Sequence, residues 1–149
     1  MAFSGANLEY GDFYDANVQG AMFSGAANMS YVFSNVSGIP ASMPTGWEFV
    51  QNGNGTGYFI GPVSDLDSAD LDGVGLSGDN LSSADFTNAS ARGTEFASAD
   101  LASANMTEAN LDGALDMASA NLTNVVWSDT TCPDGTNSNA DGGTCQHDL

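Results

Sequence analysis

Residues 64–113 read SDLDS ADLDG VGLSG DNLSS ADFTN ASARG TEFAS ADLAS ANMTE ANLDG when broken at every fifth position. The third place of each unit holds Leu66, Leu71, Leu76, Leu81, Phe86, Ala91, Phe96, Leu101, Met106 and Leu111. The first place is mostly Ala: Ala69, Ala84, Ala89, Ala99, Ala104 and Ala109. The second is mostly Asp or Asn: Asp65, Asp70, Asn80, Asp85, Asp100, Asn105 and Asn110. A period of five matches neither an α-helix, with about 3.6 residues per turn, nor a strand, whose faces alternate at every second residue. The chain is expected to bend at fixed intervals, with one large apolar side chain per segment facing inward. Small neighbours let opposite walls approach, and Asp, Asn, Ser and Gly supply the corners. This is a solenoid, in which each coil buries its interior only by stacking on the next.

The same period extends both ways. Toward the N-terminus it runs through Phe3, Leu8, Phe13, Val18 and Phe23, slips once near Ala26 and Ala27, and reaches Met29. After Leu111 it slips by one residue and resumes at Met117, Leu122 and Trp127.

The units Ala69-Asp70-Leu71, Ala84-Asp85-Phe86, Ala99-Asp100-Leu101, Ala104-Asn105-Met106 and Ala109-Asn110-Leu111 resemble the pentapeptide-repeat family, whose motif is A(D/N)LXX. The resemblance implies an all-β fold, a right-handed quadrilateral β-helix in which four five-residue sides make a coil. Side chains one coil apart then stack, giving interior ladders Leu66–Phe86–Met106, Leu71–Ala91–Leu111, Leu76–Phe96 and Leu81–Leu101, with Met117 and Leu122 one residue late. Ala91 thins its ladder, and Phe86 and Phe96 are expected to lean in. One domain is expected over residues 1–149: a first repeat run at 1–35, an insertion at 36–62, a second run at 63–127 and a tail at 128–149.

The insertion is punctuated by Pro40, Pro44 and Pro62. Apolar stretches at Trp47–Val50 and Tyr58–Ile60 flank a Gly/Asn-rich segment, which reads as a β-hairpin turning around Asn52–Gly57. It resembles the hairpin insertion of bacterial family members. An isolated hairpin is unstable, so Trp47, Phe49, Tyr58 and Phe59 are expected to pack on one solenoid face and are candidate partner contacts.

In the tail, Cys132 and Cys145 with one His do not make a zinc site. The segment resembles the Cys-containing tail of exported bacterial members, which implies a Cys132–Cys145 disulfide, an oxidising compartment and an extracellular or cell-surface location. No basic stretch followed by an apolar one marks a signal peptide, so the sequence is expected to begin after its leader. Asn137, Asn139 and Asp141 echo the start of a calcium loop, a weak match because Asp148 stands where the loop needs Glu. No resident metal or cofactor is expected, Ca²⁺ being the one candidate.

The 149 residues carry 19 Asp and Glu against a single Arg and no Lys, a formal net charge of −18. That charge excludes counterion-releasing contact with nucleic-acid phosphates and docking on anionic membranes. No apolar run is long enough to span a bilayer. A hydrophobic content of 42% is too rich for a disordered acidic tail. Asp65 and Asp85, expected to stack one coil apart on the outside, are candidate contact residues. No catalytic residues are assigned: His147 has no nucleophile elbow beside it, and each carboxylate occupies a repeat or turn position. The expected function is a non-enzymatic, exported structural or protein-interaction scaffold, self-assembling by end-to-end stacking into a dimer or filament. The alternative is an acidic DNA mimic that binds a type II topoisomerase, as some family members do.

Overall fold

A computed structural model describes residues 1–147 and Leu149. Asp148, the weak end of the calcium-loop match, lies outside the described residues. Single parallel bridges recur at every fifth position and join residues 20 apart: Asp65↔Asp85, Asp70↔Ser90, Gly75↔Glu95 and Asn80↔Asp100. Four bridge positions therefore make one coil. After each slip the spacing becomes 21, as in Asn7↔Asn28 and Asp100↔Asn121. The second slip is absorbed by a one-turn 3₁₀ segment, Met117–Ser119, entered through Asp116 at φ 57°. Among the described residues no helix is long and apolar enough to cross a membrane.

Each corner has one local geometry. The carbonyl of the central residue accepts a hydrogen bond from the N–H three residues on, as from Ala69 to Leu66 at 3.0 Å. The fifth place takes a positive φ, 57° at Ser68 and 68° at Gly73. That is the requirement of a type II turn, which favours Gly or Asn there. Val63 adopts it too, at φ 58°, a conformation a β-branched residue rarely takes. Two bonds between coils hold it: its N–H donates to Ser82 O at 2.9 Å, and its carbonyl accepts from Tyr31 N–H at 2.8 Å.

The ladders lie inside as the period predicts. Leu66, Leu71, Leu76, Leu81, Phe86, Phe96, Leu101, Met106 and Leu111 are fully buried, and Leu122 is 9% exposed. Each large side chain contributes about 1.5–3 kcal/mol by leaving water. Beside the small Ala91, the Phe86 and Phe96 rings meet edge to face with centroids 6.3 Å apart.

The insertion forms strands β1 (Glu48–Gln51) and β2 (Gly57–Ile60), paired antiparallel with Phe49 opposite Phe59. Its placement differs from the expected packing on one solenoid face. Tyr58, Phe59 and Ile60 are 2%, 0% and 1% exposed. Phe59 packs with Phe23 of the first run, and Tyr58 and Ile60 pack with Leu66 and Leu71 of the second. The hairpin lies within the stack because the two runs would otherwise face each other across an unfilled interior. Outside it one column is unbroken: Asp12, Phe33, Asp65, Asp85, Asn105 and Val126 bridge in sequence, so Phe33 and Asp65 pair directly across the insertion.

Candidate interaction surfaces

The Asp or Asn of each unit performs one task. Its Oδ1 accepts the backbone N–H two residues on, at 3.0 Å for Asp85 and Thr87 and 3.1 Å for both Asn80 and Ser82 and Asn105 and Thr107. This Asx turn needs one acceptor oxygen, which Asp and Asn both offer. The fold thus accounts for the residue shape and not for the charge. Asp65 and Asp85 do stack as bridge partners, and Asn105 Nδ2 donates to Asp85 Oδ1 at 3.2 Å. Burial, then the charges of Asp85 and Asp67, push the Asp65 carboxyl above its usual range. Arg92 meets Asp72 one coil away with Nη2–Oδ2 at 2.6 Å. Burial raises the Asp72 carboxyl, but hydrogen bonds from Arg92 and Ser90 outweigh it and hold it low.

Of the four aromatics expected to meet a partner, Tyr58 and Phe59 are core residues and present no surface. Trp47 and Phe49 are half-buried and pack on the first-run core. Trp47 lies so close over Gly61 that a Cβ there would come within 2.4 Å of its Cδ2. The exposed aromatics are others: Tyr10, Tyr14 and Tyr31, 71%, 56% and 44% exposed. Tyr10 stacks on Tyr31 with centroids 4.8 Å apart, and Tyr14 stacks on Phe33 at 5.9 Å. Their outward positions follow from the register, since none occupies the central place of a unit.

The first place of the repeat also holds residues that composition alone does not single out. Ser64, Asp79 and Thr94 stand where Ala is usual. Thr94 Oγ1 donates to Leu71 O at 2.7 Å, whereas the buried Ser64 Oγ has no partner among the described residues. Asp79 is partly buried, and that burial, with Glu48 of β1 nearby, pushes its carboxyl up to about 6.

The tail seals the last coil. Cys132 and Cys145 are disulfide-bonded and fully buried in the same cluster as Leu111, Leu122 and Trp127. Thr130 Oγ1 donates to Met106 O at 2.7 Å, and Gln146 Nε2 reaches Leu122 O at 3.4 Å. The calcium-loop residues are engaged otherwise. Asn137 Oδ1 accepts Asn139 N–H, Asn139 Nδ2 donates to Asp129 Oδ1, and Asp141 Oδ2 lies 3.0 Å from His147 Nδ1. Among the described residues no three His, Cys, Asp or Glu side chains gather as a metal site.

The bridges and corners define a repeat solenoid of the β-helix class. Residues 80–115 match the family model for pentapeptide repeats in eight copies, so the resemblance carried by the A(D/N)LXX units holds. Among solved structures the chain is similar to HetL, a pentapeptide repeat protein involved in heterocyst differentiation regulation from the cyanobacterium Nostoc, with 25% identity, a TM-score of 0.32, 91% of this chain covered and 63% of that one. It is also similar to QnrB1, a plasmid-mediated fluoroquinolone resistance protein, with 18% identity, a TM-score of 0.37, 83% of this chain covered and 78% of that one. The chain thus spans less than two thirds of the length of HetL. No curated protein matches it.

Proposed function

We propose that the chain is a non-enzymatic interaction scaffold, a right-handed four-walled β-helix acting outside the cytoplasm, whose first coil is a docking edge for a second copy. The observation that carries this reading is the difference between the two ends. In inner coils the bridge residue donates its N–H to the coil before, as Asp85 does to Ser64 O at 2.9 Å. The N–H groups of Asn7, Asp12 and Asn17 have no such acceptor among the described residues. Inside that edge lies a cavity of about 320 Å³, lined in part by Met1, Phe3, Phe13 and Val18. Unpaired strand edges with apolar neighbours recruit further strands. The last coil is closed by the tail, so stacking favours first coil on first coil, a two-fold arrangement, over a head-to-tail filament. The first run also carries only three of the acids, Glu9, Asp12 and Asp15, which keeps repulsion between copies low there. The buried disulfide fits an oxidising compartment.

Sedimentation of the 149-residue chain, with Ca²⁺ and with chelator, tests this. A dimer that the double change Asn7→Asp and Asn17→Asp dissociates is expected, since it puts like charges on the edge while keeping both Asx-turn acceptors. A monomer at every concentration, or a dimer indifferent to that change, removes the reading. The DNA-mimic alternative draws on the Asp65–Asp85 stack, but the other bridge columns of the second run are mostly neutral, with one acid each in Asp70, Ser90 and Asn110, in Gly75, Glu95 and Leu115, and in Asn80, Asp100 and Asn121. Inhibition of gyrase supercoiling by the purified chain would revive it.

A further inference from the structure

We infer that the cleft between the hairpin tip and the first-run wall binds a neutral carbohydrate. This inference is independent of the coil edge. The cleft, about 350 Å³, is lined by Asp15, Asn35, Val36 and Ser37 on the wall and Asn54, Gly55 and Thr56 on the tip. Its size lies within the range of ligand pockets, roughly 300–1,000 Å³.

The floor is fixed before any ligand arrives. Val36 and Gly57 exchange both backbone hydrogen bonds, at 3.0 and 2.7 Å. Asp15 N–H donates to Asn35 O at 2.9 Å. On the opposite side, Asn54 N–H donates to Asn52 Oδ1 at 3.0 Å, and its Nδ2 to Asp70 Oδ2 at 3.3 Å. Among the described residues the Asp15 carboxylate, the Asn35 amide and the Thr56 hydroxyl have no hydrogen-bond partner, and Asn54 Oδ1 is likewise free. The cleft therefore presents unused acceptors and donors on a backbone that does not need to reorganise, which lowers the cost of binding.

The chemistry of these groups selects the ligand class. No cation lines the cleft, and the lone Arg92 is paired with Asp72, so an anion finds no counter-charge. One carboxylate among amides and hydroxyls is a poor cage for a divalent cation, which takes several oxygen ligands. Val36 is the only large apolar side chain in the lining, too little for an apolar molecule. Vicinal hydroxyls, in contrast, each donate and accept, as do the Asn and Thr side chains, and a carboxylate accepts two hydroxyls at once.

The test is calorimetric titration of the intact chain with cello-, chito-, xylo- and manno-oligosaccharides, and with spermine as the cationic comparison. Saturable binding of at least one oligosaccharide is expected, with Kd about 1 mM or tighter. Asp15→Ala should weaken it about tenfold, as befits loss of a hydrogen bond to a charged group. Asp15→Asn, which retains the side-chain shape, should weaken it less, and the distant Asp112→Ala should leave it unchanged. Absence of binding to every oligosaccharide, affinity indifferent to both Asp15 changes and to Asn54→Ala, or spermine bound in place of sugars would each overturn the assignment.

Discussion

Phe59 of the inserted hairpin packs on Phe23 of the first repeat run with ring centroids 5.0 Å apart. Phe59 also meets Phe13 edge to face at 5.7 Å. The insertion is therefore part of the core that continues one run into the next. Phe59→Ala should lower the unfolding free energy by about 3–5 kcal/mol, the usual cost of truncating a buried Phe. Phe49→Ala, at a half-buried position, should cost less. Urea unfolding of both variants checks this, and equal costs would mean that the hairpin contributes no private core.

Because one side-chain oxygen forms each Asx turn, charge should be removable without loss of fold. The triple change Asp65→Asn, Asp85→Asn and Asp100→Asn keeps every Oδ1 acceptor. It also removes the one like-charge pair among them stacked at bridge spacing, Asp65 and Asp85. We expect an unchanged circular dichroism spectrum and a stability gain on the order of 1 kcal/mol at low salt, shrinking as salt screens the parent. Loss of the fold would show that the carboxylates do more than accept hydrogen bonds.

The coil was legible because its physics is local. One large residue per five positions, with Asx and turn chemistry at fixed offsets, leaves few other ways to bury Leu66 through Leu111. Both register slips were legible for the same reason. The burial of Tyr58 and Phe59 was not, since the apolar stretch Tyr58–Ile60 says that the strand is covered and not by what. The cleft was equally hidden, because Asp15, Asn35 and Asn54 are brought together only by where the hairpin docks. Asp79 lay open to reading: it is two positions before Leu81, in the slot that holds Ala99 one coil later.

That slot makes Asp79 a pH-dependent weak point. Its folded-state value of about 6 lies above the unfolded value of 3.8, raised by burial and then by Glu48. The folded chain therefore binds more protons than the unfolded chain between those values, and stability falls as pH rises from about 4 to about 6. Asp79→Ala should remove this slope and stabilise the protein at pH 7 by on the order of 1 kcal/mol, a figure reduced for solvent screening. Thermal melts between pH 4 and 7 read the effect. An identical pH profile in the variant would place the titration elsewhere.

The disulfide should matter most at one end. It closes a loop between residues 13 apart in sequence, and cross-links of this length contribute about 3 kcal/mol. The half-cystines are also buried against Leu111, Leu122 and Trp127, so their release uncovers the last coil. The double change Cys132→Ala and Cys145→Ala should lower the melting temperature by roughly 10 °C for a domain of this size. Amide exchange should localise the loss: the N–H groups of Thr131 and Ser138, which donate to Ala109 O and Thr130 O, should lose protection before those of Leu66 and Leu71. A uniform loss along the solenoid would mean that the stack melts as one unit and the tail is no separate cap. An unchanged melting temperature would mean that the tail holds its place without the covalent link.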